Sequence, residues 1–149
     1  MGATMSNPED ILNSKNIEVI LQTMKKHESV AKFQECGCRA LANLAMKNDA
    51  NKVKISALGG IVVIVQAMEK HDNVADVQAN GCRALENLSL KNTANTVTIG
   101  TLGGIAVIVE AMKKHKNVAR VQEYGCAALR NLALNNDANK VTISTLGGI

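Results

Sequence analysis

The chain has 149 residues and a net charge of +4, from 17 basic and 13 acidic side chains. This weak positive bias is far from the dense basic surface of a nucleic-acid binder, and no run of 18 apolar residues predicts a membrane span. Apolar residues make up 46% of the chain, but it has only one Phe, one Tyr and no Trp, so the core must be aliphatic.

The first 16 residues predict a polar tail followed by a partial capping helix. Asn7 is a favourable N-cap, and Pro8 with the two acidic residues after it suits a first helical turn, so a short helix is expected over about 8–14. The segment lacks the apolar stretch of a secretory signal. The spacing of the four cysteines argues against disulfides, so we expect a reducing, cytoplasmic location, with the nucleus as an alternative.

The rest of the chain repeats itself every 44 residues. The Gly-Cys pair at 37–38 recurs at 81–82 and 125–126, and the Gly-Gly-Ile at 59–61 recurs at 103–105 and 147–149. This self-similarity predicts units at 17–60, 61–104 and 105–149, the last of which includes the first residue of a further unit.

Each unit is predicted to hold a buried helix, a longer helix and a short helix. In the third unit, 105–115 is apolar nearly all round, which is typical of a helix buried between neighbours. Asn117 is the expected N-cap of the long helix, with Asn73 and Ser29 in the equivalent positions. The mid-helix Gly125 suggests a close approach that leaves no room for a Cβ, and a Gly-Gly pair ends the short helix.

The repeated positions form one pattern, N-x-x-x-I-x-x-x-G-G-I followed by V-Q-x-x-G-C-x-A-L-x-N-L. In this chain it is carried by Asn95, Ile99, Gly103, Gly104, Ile105, Val121, Gln122, Ala128, Leu129, Asn131 and Leu132. The pattern resembles the armadillo repeat. The resemblance implies an all-α, right-handed α-solenoid of about three units with three helices each. HEAT repeats are the rival, but the short helix and the Gly-Gly turn favour armadillo.

No combination of residues in the sequence predicts an enzyme, a cofactor or a metal site. Cys38, Cys82 and Cys126 share one position in the repeat and are expected to be core residues, too far apart for a disulfide. Cys36 lacks a counterpart and is expected at the surface. The three histidines also lie one repeat apart, which is too far for a shared zinc ion.

The resemblance implies that the long helices line a concave groove that holds an extended peptide or protein segment. The Asn of A-L-x-N-L would grip the peptide backbone, which assigns this role to Asn43, Asn87 and Asn131. Nuclear-import armadillo proteins carry Trp one helical turn earlier, where this chain has Arg39, Arg83 and Ala127, so import cargo is not expected. The further candidates, most of them at positions that vary among the copies, are Arg39, Arg83, Glu86, Tyr124 and Arg130.

The sequence leaves a second function open, in which the repeats form an architectural or self-assembling segment with no groove ligand. No polar capping unit follows the third repeat, so its last apolar face could pair with a second copy. The candidates for such a homodimer contact are Val121, Leu129, Leu132, Ile143, Leu146 and Ile149.

Overall fold

The computed structural model describes residues 4–147, and within that range it contains ten helices and no strand. In chain order they are α1 (Pro8–Leu12), α2 (Ile17–Lys26), α3 (Ala31–Ala45), α4 (Asp49–Ala57), α5 (Gly60–Lys70), α6 (Ala75–Ser89), α7 (Thr93–Thr101), α8 (Gly104–Lys114), α9 (Ala119–Ala133) and α10 (Asp137–Thr145). The all-α prediction is confirmed.

The helices recur with the period of the sequence. The helices α8, α9 and α10 each begin 44 residues after α5, α6 and α7. The longest helices are α3, α6 and α9, with 15 residues each. The right-handed sense, the unit boundaries and the grouping of helices in threes stay predictions.

Asparagine side chains start the short helices, as the sequence predicts for Asn7. Asn48, Asn92 and Asn136 each accept a hydrogen bond from the backbone N–H three residues later. The prediction for the long helices was wrong. Valines cap them without a side-chain bond, as Val118 does for α9, because Asn117 lies in a turn closed by the Val118 N–H on the His115 carbonyl.

Glycines have the two roles that the sequence predicts. Gly59, Gly103 and Gly147 have φ angles of +82°, +85° and +78°, in the left-handed region that lets the chain turn sharply. In the middle of α6, a Cβ at Gly81 would lie 2.6 Å from both Cγ and Sδ of Met68. The long helix therefore packs closely on the buried methionine of the helix before it.

An aliphatic core runs through the whole array, since the long helices α3, α6 and α9 pack side by side and α2, α5 and α8 pack against them. In the second copy, Ile64 of α5, Leu85 of α6 and Ile99 of α7 are fully buried. No copy encloses its own core, which is the packing expected of repeat proteins.

Side-chain hydrogen bonds join neighbouring copies of the repeat. The Nε2–H of His71 donates to the Glu28 carbonyl at 2.7 Å, and His115 repeats this bond one copy later. The equivalent Nε2 atom of His27 is buried and has no hydrogen-bond partner in the part of the chain that the structure describes. Its ring instead stacks on Phe33, with 3.8 Å between the ring centroids.

No single helix within residues 4–147 is long and apolar enough to cross a membrane. The pairs α4 with α5 and α7 with α8 reach the required length and apolarity only when joined, and they bend by 72° and 71°.

Candidate functional site

The long helices α3, α6 and α9 pack against each other and expose one face each. We call the side chains exposed on these three helices, with the turn residues that follow them, the long-helix surface. Because the helices are equivalent copies, residues 44 apart lie side by side across this surface. The candidate peptide-binding residues of the sequence all lie on these three helices, although Asn131 is buried there.

The three candidate asparagines form one continuous row. Asn87 Nδ2 donates to the Ala42 carbonyl at 2.9 Å, and Asn131 Nδ2 donates to the Glu86 carbonyl at 3.0 Å. Each therefore reaches the residue just before the asparagine of the preceding copy. Asn43 is exposed, Asn87 is half-buried and Asn131 is 8% exposed.

These bonds give Asn87 and Asn131 a structural role that the sequence prediction did not assign to them. One Nδ2 hydrogen of each holds the C-terminal turn of the neighbouring long helix. Their Oδ1 atoms accept no hydrogen bond from residues 4–147. That oxygen is the group each side chain can offer to a ligand.

Two arginines cross from one long helix to the next. Arg83 donates from Nη1 to Oδ1 of Asn43 at 2.8 Å. Arg120 lies 3.4 Å from a carboxylate oxygen of Asp76, and its guanidinium is 5.9 Å from the ring centroid of Tyr124. The sequence analysis missed Arg120 as a site residue, although its 44-residue separation from an opposite charge was a usable signal.

The remaining charged candidates differ in exposure. Arg39 and Arg130 are exposed and make no ion pair with residues 4–147. Glu86 is half-buried, and burial raises the pKa of its carboxyl, an effect that Arg130 and Arg83 oppose. The surface therefore presents two guanidinium groups without an ion pair, those of Arg39 and Arg130.

A hollow of about 310 Å³ lies at the end of the long-helix surface, beside Asn131. Leu90 and Leu134 line it, and both are exposed although they are large and apolar. At Leu134 the chain leaves the long helix, and Asn135 takes a left-handed φ of +55°.

Most of the predicted self-association residues are not available for contact. Val121 and Leu132 are fully buried in the chain's own core, and Leu129 and Ile143 are buried with them, because α8 and α10 pack against α9. Leu146 is half-buried, and Ile149 lies outside the described residues. The prediction that the buried four form an uncovered face was wrong.

A different set of side chains is uncovered at this end of the array. Met112, Gln122 and Cys126 line an open hollow of about 610 Å³ together with Lys113. In the second copy, the residues equivalent to Met112, Gln122 and Cys126 are Met68, Gln78 and Cys82. All three are buried beneath the helices that follow. The cysteine predictions change accordingly: Cys126 is exposed, whereas Cys36, expected at the surface, is buried.

All four thiols are free. Burial raises the pKa of both Cys38 and Cys82 to about 12, which keeps these two thiols protonated and unreactive at neutral pH.

The match to known families covers nearly the whole array. A family model described as the LRRK2 ARM repeat matches residues 14–145, from just after α1 to the last residue of α10. No curated protein matches the chain, and no solved structure does. The matched span contains the repeated asparagines, the Gly-Gly turns at 59–60 and 103–104 and all three long helices, so the resemblance to armadillo repeats is confirmed. The chain belongs to the LRRK2 ARM repeat family.

Proposed function

We propose that the chain is a non-catalytic scaffold that binds an extended segment of another protein across the long-helix surface. The observation that carries this proposal is the unbroken asparagine row on α3, α6 and α9. Stacked helices lie about 8–10 Å apart, so the axes of the outer two of three helices are about 16–20 Å apart. One extended segment of about six residues crosses all three at ~3.3 Å per residue. ARM repeats in general mediate protein interactions, which supports the scaffold reading.

The surface offers a distinct contact to each part of such a segment. The Oδ1 atoms of Asn87 and Asn131 accept hydrogen bonds from backbone N–H groups. The hollow edged by Leu90 and Leu134 has room for an apolar side chain. Arg39 and Arg130 attract carboxylates, so the preferred segment carries acidic residues near an apolar one.

We expect the double substitution Arg39→Ala/Arg130→Ala to weaken a bound segment about tenfold, because each exposed ion pair contributes up to about 1 kcal/mol. Peptides selected from a random display library on the full chain provide the ligand, and fluorescence anisotropy measures its affinity. Thermal unfolding should be unchanged, since neither side chain makes an ion pair within residues 4–147.

The matched control is Lys25→Ala/Lys116→Ala, which removes the same charge from exposed positions outside the long helices. We expect this variant to bind the selected peptide as the parent chain does. An equal loss of affinity in both variants would show that net charge alone, and not the position of the arginines, causes the effect. No loss in the arginine variant would place the peptide elsewhere and contradict the proposal.

A second candidate function is self-assembly, and the exposed Cys126 favours it. The equivalent Cys82 is fully buried, so the third copy leaves open a surface that the second covers. We propose that a second copy pairs on Met112 and Cys126.

We expect sedimentation velocity to show dimers of the chain at high concentration under reducing conditions. The substitution Met112→Glu should shift them to monomers, since it places a charge in the contact. A parent chain that remains monomeric over the whole concentration range would contradict the self-assembly proposal.

A further inference from the structure

A pocket of about 370 Å³ lies between α5 and α8, outside the long-helix surface. Met68, Val107 and Ala111 supply its apolar walls, and Glu69 and Glu110 stand exposed at its rim. We call this the acidic pocket. Most of its lining comes from α5 and α8, whereas the asparagine row lies on α3, α6 and α9. The two sites are therefore separate.

The side chain of Gln78 contributes a hydrogen-bond acceptor to the lining of the acidic pocket. Gln78 is only 1% exposed, and both hydrogens of its Nε2 are engaged, by the Met68 carbonyl at 3.0 Å and the His71 carbonyl at 2.9 Å. Its Oε1 receives no hydrogen bond from residues 4–147. The pocket therefore has an acceptor in its wall that a donor on a ligand can use.

The charges around the pocket are not balanced. Asp72 is neutralised by Lys114, whose Nζ lies 2.9 Å from its carboxylate. Glu69 and Glu110 have no ion pair within 4.0 Å among the described residues. Two negative charges at the rim are therefore free to attract a cation.

The preceding copy contains the same pocket with a different rim. Between α2 and α5, Met24, Gln34, Val63 and Ala67 reproduce the walls and the buried glutamine. At the rim, however, Lys25 stands in place of Glu69 and Gln66 in place of Glu110. The framework is therefore shared, and the charge at the rim is what differs between the two pockets.

We propose that the acidic pocket binds the side chain of a lysine or arginine presented by a partner protein. Such a side chain has an aliphatic stem, which packs on Met68, Val107 and Ala111, and a cationic end that donates hydrogen bonds. Glu69 and Glu110 provide the opposite charge, and Gln78 Oε1 accepts one of the hydrogen bonds. The scaffold thus has a second contact site, selective for basic segments.

The test uses the full chain with ¹³C-labelled alanine and valine methyl groups. The probe is an acetyl-Gly-Lys-Gly amide peptide, and the same peptide with norleucine in place of lysine is the neutral control. We expect the lysine peptide to give saturable NMR shifts at Val107 and Ala111 and none at Val63 and Ala67. Shifts of equal size with the norleucine peptide would overturn the proposal.

Exchanging the two rims provides the matched variants. The variant Glu69→Lys/Glu110→Gln should bind the lysine peptide at least tenfold more weakly, because it removes both negative charges from the rim. It should still fold, because Lys25 and Gln66 occupy the same positions in the preceding copy. The reverse variant, Lys25→Glu/Gln66→Glu, should create new shifts at Val63 and Ala67. Unchanged affinity in the first variant, or no new shifts in a folded second variant, would refute the assignment.

Discussion

Raising the pH from 8 to 10.5 should lower the free energy of unfolding by about 4 kcal/mol through Cys38 and Cys82, at ~1.4 kcal/mol per pH unit per thiol above pH 9. Burial raises the pKa of each thiol from 9.0 to about 12 in the folded chain. The unfolded chain therefore releases these protons first.

The sign follows from which state binds more protons. Below pH 9 both states keep the thiols protonated, and the full stability is present. Between pH 9 and 12 the folded state retains protons that the unfolded state has lost, so stability falls as the pH rises. Cys36, whose pKa burial also raises, acts in the same direction.

Guanidinium unfolding followed by circular dichroism at a series of pH values measures this slope. The variant Cys38→Ala/Cys82→Ala should lose most of it, although its stability at neutral pH is lower because of the cavities. Cys126→Ala, at the exposed position, should keep the parent slope. A double variant with the parent's slope would show that other groups titrate instead.

Replacing Asn95 by alanine should cost roughly 2–4 kcal/mol, because the Leu88 carbonyl is left without a donor at ~1–3 kcal/mol and the bond between copies to the Lys52 carbonyl, worth about 1 kcal/mol, is also lost. Asn95 Nδ2 donates to the Leu88 carbonyl at 2.9 Å and to the Lys52 carbonyl of the preceding copy at 3.1 Å. The Asn95 side chain is buried, and both hydrogen bonds are buried with it.

The first copy of the repeat provides the control. Asn51 is half-buried, and its Nδ2 donates to the Leu44 carbonyl alone, so Asn51→Ala should cost about 1 kcal/mol. Hydrogen exchange measured for α4 and α7 separates local from global loss, as repeat proteins require. Equal costs for the two substitutions would mean that the bond between copies contributes nothing.

The fold was predictable because the 44-residue period is visible in the sequence itself. The Gly-Gly pair at the same place in every copy indicates a left-handed backbone position, which the structure has at Gly59 and Gly103. The N-caps of the long helices could not be predicted from residue preferences. Asparagine is a favoured N-cap, so Asn73 and Asn117 were expected in that role. The short turn before each helix, closed by a backbone bond, puts valine at the cap instead.

The site was predictable only in part, for a related reason. Equivalent positions in a repeat do not have equivalent neighbours, as Cys82 and Cys126 show by lying in the core and at the surface. The resemblance to armadillo repeats therefore pointed to the asparagine row, but it could not show that Asn87 donates a hydrogen bond to the Ala42 carbonyl. Such contacts depend on how far adjacent helices are displaced, which sequence spacing does not give.

The bonds that join neighbouring copies have a consequence for how the gene can change. Every unit carries both halves of its connections, since His71 and Asn87 reach back to carbonyls whose counterparts His115 and Asn131 use one copy later. Duplicating or deleting a whole unit therefore creates a complete junction at once. Losing a single residue inside a unit would instead disturb the junctions that this unit makes with its neighbours, whereas a change by whole units leaves every junction complete.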